Sequence, residues 1–125
     1  MASLNNPSDT GGHLIAASKV NGTSVYNTAG ETLGSVYDVM LDKASGKVEY
    51  AILSFGGFLG IGDKYHPLPW RLLRYDTAQG GYVANLDRRT LEGAPSYAAS
   101  DMGMWDDTRG QGIDAYYGRS GGMLP

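Results

Sequence analysis

Cysteine is absent from this chain of 125 residues. Its absence excludes disulfides, thiolate metal sites and cysteine nucleophiles, and says nothing against a reducing compartment. A surplus of basic charge is missing as well. Ten Lys and Arg against 13 Asp and Glu leave a formal charge of −3, whereas nucleic-acid binders carry a basic footprint because phosphate neutralisation supplies most of their affinity. Residues 1–12 have neither a basic start nor an apolar run. They lack the marks of a signal peptide or a membrane span, so the expectation is a cytoplasmic protein that begins with a disordered arm. Histidine is scarce: His13 borders that arm, and His66 sits between Tyr65 and Pro67, where it reads as a hydrogen-bonded strand residue rather than a base or ligand. No G-x-S-x-G elbow is present. Asp101, Asp106, Asp107 and Asp114 fit no calcium-loop spacing and read as a solvated acidic face. No catalytic residue, metal ligand or cofactor is expected.

Glycine and tyrosine are what the chain has in quantity. Its 19 glycines are about twice the usual share, and with nine tyrosines they point to short strands and tight turns. Three segments share one turn design: Asn27 to Gly30, Asp42 to Gly46 and Asp76 to Gly80 each open on Asn or Asp and close on Gly. The Asx side chain can accept a bond from the backbone two residues on, and the closing glycine can take positive φ. These are hairpin loops. Between them lie the predicted strands: Leu14 to Val20, Thr23 to Tyr26, Leu33 to Leu41, Val48 to Phe55, Leu68 to Tyr75 and Gly81 to Leu86. In the third, alternation puts Leu33, Tyr37, Val39 and Leu41 on one face and Val36 and Met40 on the other. In the fourth both faces are apolar, as in a central strand.

The run Ser54 to Trp70 interleaves Gly56, Gly57, Gly60 and Gly62 with Phe58, Leu59 and Ile61 directly after a β-rich segment. A phosphate loop needs G-x-x-x-x-G-K-[ST] opening a helix. Here Lys64 is out of register, Asp63 stands beside it, and Tyr65 to Trp70 is extended and punctuated by Pro67 and Pro69. The dinucleotide pattern fails for the same lack of a helix. The run reads as a crossover between barrel strands.

After Leu86 the character changes. Asp87 suits an N-cap, Leu86 and Leu91 can staple the first turn, and Gly93 ends a short helix before Pro95. Tyr97 to Gly118 carries Met102, Met104, Trp105, Ile113, Tyr116 and Tyr117 on a glycine-broken background. It is too apolar for a free tail and is expected to lie against the barrel or a partner chain. Residues 119–125 are expected to fray.

The segments Val25 to Asp42, Gly46 to Leu53 and Phe55 to Trp70, with G-x-G-D-K-Y-x-P-L-P-W as their most specific run, resemble the PRC-barrel domain. That domain is shared by the cytoplasmic part of the photosynthetic reaction-centre H subunit and the C-terminal domain of the 16S rRNA-processing factor RimM. The resemblance covers about residues 13–86, and the extension resembles that of single-domain bacterial members. It implies a mainly β fold, a small and mostly antiparallel barrel with a short helical or irregular C-terminal extension, acting as an adaptor without common catalytic residues. The expected organisation is arm 1–12, barrel 13–86, extension 87–118 and tail 119–125.

The expected function is a non-enzymatic protein-interaction module, homodimeric and capturing a further protein partner. Its contact residues would be Phe58, Leu59, Ile61, Trp105, Tyr116 and Tyr117, and peripheral attachment to a membrane complex is compatible with it. Two alternatives stand beside it: an RNA- or ribosome-associated factor using Arg71, Arg74, Arg88 and Arg89, and a small-ligand barrel with its mouth near Tyr65 and His66.

Overall fold

The computed structural model describes residues 14–55, 64–98, 101 and 105–120. Expectations for the N-terminal arm, the loop bearing Phe58, Leu59 and Ile61, and residues 121–125 lie outside them. In chain order the elements are α1 (Ala17–Val20), β1 (Ser24–Tyr26), β2 (Thr32–Leu41), β3 (Val48–Phe55), β4 (Lys64–Pro69), a 3-10 turn (Trp70–Leu72), β5 (Leu73–Asp76), β6 (Gly81–Ala84), α2 (Arg88–Glu92) and α3 (Asp107–Ser120).

The strands form one sheet in the order β4-β3-β2-β1-β6-β5. All neighbours run antiparallel except β1 and β6, which pair in parallel through Val25 with Tyr82 and Tyr26 with Val83. β4 and β5 are the two edges, yet only Trp70–Leu72 separates them. Four Cα steps reach at most about 14 Å, while the edges of a flat six-stranded sheet would lie about 24 Å apart. The sheet therefore curls into a half-barrel, and its concave side holds the core of Val25, Leu33, Val36, Leu53 and Leu68.

The turn chemistry behaves as the sequence predicts. The Asn27 Oδ1 accepts the Ala29 N–H at 3.0 Å, the Asp42 Oδ1 accepts the Ala44 N–H at 2.8 Å, and the Asp76 Oδ1 accepts the Ala78 N–H at 2.9 Å. Gly30, Gly46 and Gly80 all have φ between 70° and 87°. The Ser45 N–H and then the Ala44 N–H hold the Asp42 carboxylate below its ordinary value, and the Gln79 side chain and then the Ala78 N–H do the same for Asp76. β3 lies between β2 and β4, with Ala51, Ile52 and Leu53 all buried. Pro67 and Pro69 are tolerated because β4 is an edge that needs its N–H groups on one side only.

Three expectations change. Leu14 to Val20 is not a strand: Ala17–Val20 make one helical turn, and only Val20 is buried. Ala16 to Lys19 contains no β-branched residue and is drawn from residues that accept helix readily. The strand expected over Leu68 to Tyr75 is two strands on opposite edges, since Pro69 cannot extend the ladder and the chain turns at Trp70. The face assignment of β2 fails too. The pairing register shifts opposite Val25/Tyr26, again between Val36 and Asp38, and a third time between Met40 and Leu41, and each bulge moves the side chains that follow to the other face. Leu33 and Val36 are consequently both buried, while Tyr37 and Leu41 face solvent. Between the first two bulges the backbone presses on its neighbour: Gly34 has φ of 158°, and a Cβ there would collide with the Ser54 carbonyl oxygen.

Candidate interaction surface

The bulge at Tyr37 starts a band of aromatic contacts that runs from the sheet to the C-terminal helix. Tyr37 is 46% exposed and its ring centroid lies 4.4 Å from that of Tyr65 on β4. Tyr65 exchanges two backbone bonds with Tyr97 (3.1 and 2.9 Å), which covers part of the β4 edge. The Arg109 guanidinium sits 3.8 Å from the Tyr97 ring centroid and 5.7 Å from that of Trp105, close enough for cation–π attraction. Its Nη1 donates to the Asp101 carbonyl at 3.0 Å. Trp105 then packs at 4.9 Å on Tyr50 of β3. Leu41, 51% exposed, adds apolar surface further along β2.

Tyr50 also ties α3 to the sheet. Its hydroxyl lies 3.0 Å from both Asp114 carboxylate oxygens, to which it donates, and 3.3 Å from the Gly110 carbonyl. Burial and then the Asp114 bond push the Tyr50 phenol up to about 12, so it stays a donor. Gly110 is buried under this contact: a Cβ there would lie 3.2 Å from the Tyr50 hydroxyl. At the start of the helix the Asp106 carboxylate accepts the Arg109 N–H at 2.8 Å, a capping bond. On its inner side Ile113 and Tyr117 are fully buried in the barrel core. Tyr116 is half-buried and donates to the Thr90 carbonyl at 2.6 Å, linking α3 to α2. α2 is itself capped by Asp87, which accepts the Thr90 N–H at 2.7 Å, and stapled by buried Leu86 and Leu91.

The sequence-predicted residues therefore separate. Trp105 belongs to the band. Tyr116 is anchored to Thr90 within the chain, and Tyr117, with no exposed surface, packs in the chain's own core. The acidic cluster is exposed, as expected of a solvated face, but Asp106 caps α3 and Asp114 holds Tyr50. Arg71 and Arg74 lie on the 3-10 turn and β5, and Arg88 and Arg89 on α2. Arg88 is engaged within the chain, donating to the Thr32 carbonyl at 3.1 Å with its guanidinium 5.5 Å from the Phe55 ring centroid.

His66 is buried, its ring edge-on to Phe55 at 5.4 Å. A ring nitrogen bonds the backbone of Pro95. Proline offers only a carbonyl there, so the imidazole is the donor. Nδ1 has no partner, which makes Nε2 the donor and Nδ1 a bare acceptor in apolar surroundings. Burial and then the Lys64 charge hold this imidazole below its ordinary value. Among the described residues no three His, Asp or Glu side chains gather in a way that could hold a metal ion. No helix among them is long and apolar enough to cross a membrane.

Tyr37, Leu41, Tyr97 and Arg109 are the band residues that sequence reasoning missed. Alternation put Tyr37 and Leu41 on one face with Leu33, and no sequence signal marks the bulges that part them from it. Among curated proteins none matches the chain. The PRC-barrel domain family matches over residues 12–91, nearly two-thirds of its length, and spans every strand of the half-barrel. The chain belongs to the PRC-barrel domain family.

Proposed function

We propose that this protein is a non-enzymatic protein-interaction module that self-associates through the outer surface of β2. One observation carries the reading: Tyr37 and Leu41, two large apolar side chains about half exposed, stand on a strand whose backbone is held rigid by β3. Exposed apolar residues held by a stiff scaffold lose little entropy on docking, and aromatic side chains dominate binding energy at interfaces. Tyr37 is already oriented by Tyr65. Family membership supports the same reading, since the PRC barrel is generally a non-catalytic fold that serves protein association. Phe58, Leu59 and Ile61, which follow β3 in sequence, are apolar residues that this reading also counts as contacts.

Sedimentation equilibrium tests the reading. The wild type is expected to form a dimer at micromolar concentration. Replacing Tyr37 and Leu41 together by Ser should weaken it at least about tenfold, with the melting temperature nearly unchanged because neither side chain is core. A wild-type monomer at high micromolar concentration would remove the dimer. A Tyr37→Ser/Leu41→Ser variant that dimerises as well as wild type would move the interface elsewhere.

A further inference from the structure

A second feature lies where β3 begins, β4 ends and α3 passes. Glu49, Tyr50, Pro69, Trp70, Arg71 and Asp114 line an open cleft of about 370 Å³. Its floor is stiff. The Trp70 ring is braced edge-on by Tyr82 at 5.2 Å, the Tyr50 ring is held by Trp105 and by the bond to Asp114, and Pro69 is fixed in the β4 ladder. The Trp70 indole N–H has no acceptor among the described residues and is not a buried orphan. Arg71 and Glu49 are exposed.

These properties select a ligand class. A polyproline II segment makes no internal hydrogen bonds, leaves its carbonyls free to accept, and presents flat pyrrolidine faces. Such segments dock on aromatic-lined grooves at low entropic cost. Here Trp70 and Tyr50 supply the aromatic walls and the indole N–H supplies a donor for a ligand carbonyl. Charge sets the rest. Glu49 and Asp114 contribute two carboxylates against the single guanidinium of Arg71, which favours a cationic residue beside the prolines. The same carboxylates would repel a phosphate backbone, which sets the cleft against single-stranded RNA despite its aromatic and arginine side chains.

We propose that this cleft binds an extended, proline-containing segment of a partner protein that carries a Lys or Arg next to the prolines. The proposal rests on the reading of the chain as an interaction module and names the partner chemistry, but it does not depend on self-association through β2.

Fluorescence anisotropy of the full chain tests it, using a fluorescein-labelled peptide of repeating Pro-Pro-Ala, about ten residues long and so about 30 Å when extended, ending in Arg. Saturable binding is expected, at least about threefold weaker when Glu replaces the terminal Arg. Trp70→Ala should weaken it by about tenfold or more. Trp70→Phe keeps an aromatic face and loses the donor, so it should fall between wild type and Trp70→Ala and remains informative if Trp70→Ala does not fold. Glu49→Lys should abolish the preference for Arg over Glu. No saturation at millimolar protein, equal binding of a Gly-Ser peptide ending in Arg, or indifference to both Trp70→Phe and Glu49→Lys would each overturn the proposal. So would Trp70-dependent binding of an oligouridylate in place of the peptide. A monomeric wild type that binds the peptide removes only the β2 dimer; a dimer that ignores the peptide removes only the cleft.

Discussion

The sheet and the C-terminal helix are held in place by different physics. From β1 to β6 the chain is tied by continuous backbone ladders and by turns whose first residue bonds its own loop. α3 has no such ladder to its neighbours, and it is a poor helix by propensity. It contains Gly110, Gly112 and Gly118, each costing about 1 kcal/mol relative to Ala in a helix interior. Its order depends on what it touches: Ile113 and Tyr117 in the core, Tyr50 with Asp114, and Tyr116 with Thr90. A strand system can thus be specified locally, whereas a glycine-rich helix is specified by its seat.

Removing the seat should have the largest effect. Tyr117→Ala empties a fully buried site and should cost about 3–5 kcal/mol in urea denaturation, with a loss of helical signal that exceeds any loss of sheet. Tyr117→Phe should do the reverse. The Tyr117 hydroxyl is buried without a partner, so its removal should stabilise the fold by about 1 kcal/mol. A loss of stability on Tyr117→Phe would mean that the hydroxyl is satisfied in solution.

Acidification comes next and probes buried His66 and its bond to the Pro95 backbone. The folded imidazole of His66 titrates below its ordinary value of 6.5. Above that pH both folded and unfolded chains hold it neutral and stability is complete. As pH falls below 6.5 the unfolded chain takes up a proton that the folded chain refuses, so stability declines until the lowered folded value is reached. Urea midpoints measured between pH 5 and 7, above the range where carboxylates protonate, should fall with pH for wild type and stay level for His66→Gln. An equal slope in both would assign the effect to other groups.

Smaller effects separate the tether from the helix itself. Tyr50→Phe removes the charge-assisted bond to Asp114 and should cost about 1.5–3 kcal/mol at most, less to the extent that water replaces it. It should weaken α3 before the sheet, which amide exchange would resolve. Gly112 has no atom within 4 Å of where a Cβ would stand, so Gly112→Ala should raise stability by about 0.5–1 kcal/mol. Gly110→Ala carries the same propensity gain and pushes against the Tyr50 hydroxyl. A gain as large as that of Gly112→Ala would show that this contact yields freely.

How much could be read from the residues follows the same division. The three Asx-to-Gly turns, the Asp87 cap with its Leu86–Leu91 staple, and the doubly apolar β3 were legible because each is written within a few consecutive positions. The rejection of a phosphate loop was legible for the same reason, from the extended Tyr65 to Pro69. The faces of β2 were not, because the bulges near Leu33 and Tyr37 arise from fitting one curled strand to two neighbours. α1 was missed because one helical turn has no period to detect. The candidate surface was the least legible part: Tyr50 and Asp114 are 64 positions apart, and the Tyr37–Tyr65 and Arg109–Tyr97 contacts likewise join different elements.

By itself, then, the sequence determined the strands β1, β2, β3 and β6, the Asx-to-Gly turns and the family, because short-range chemistry and glycine placement suffice for those. Only the tertiary structure decided that Tyr37 and Leu41 face solvent, that Tyr117 lies inside the core, and that Trp70, Tyr50 and Asp114 share one cleft. Those outcomes depend on how the sheet curls and where the last helix lands, and both are settled by packing between residues that no local pattern connects.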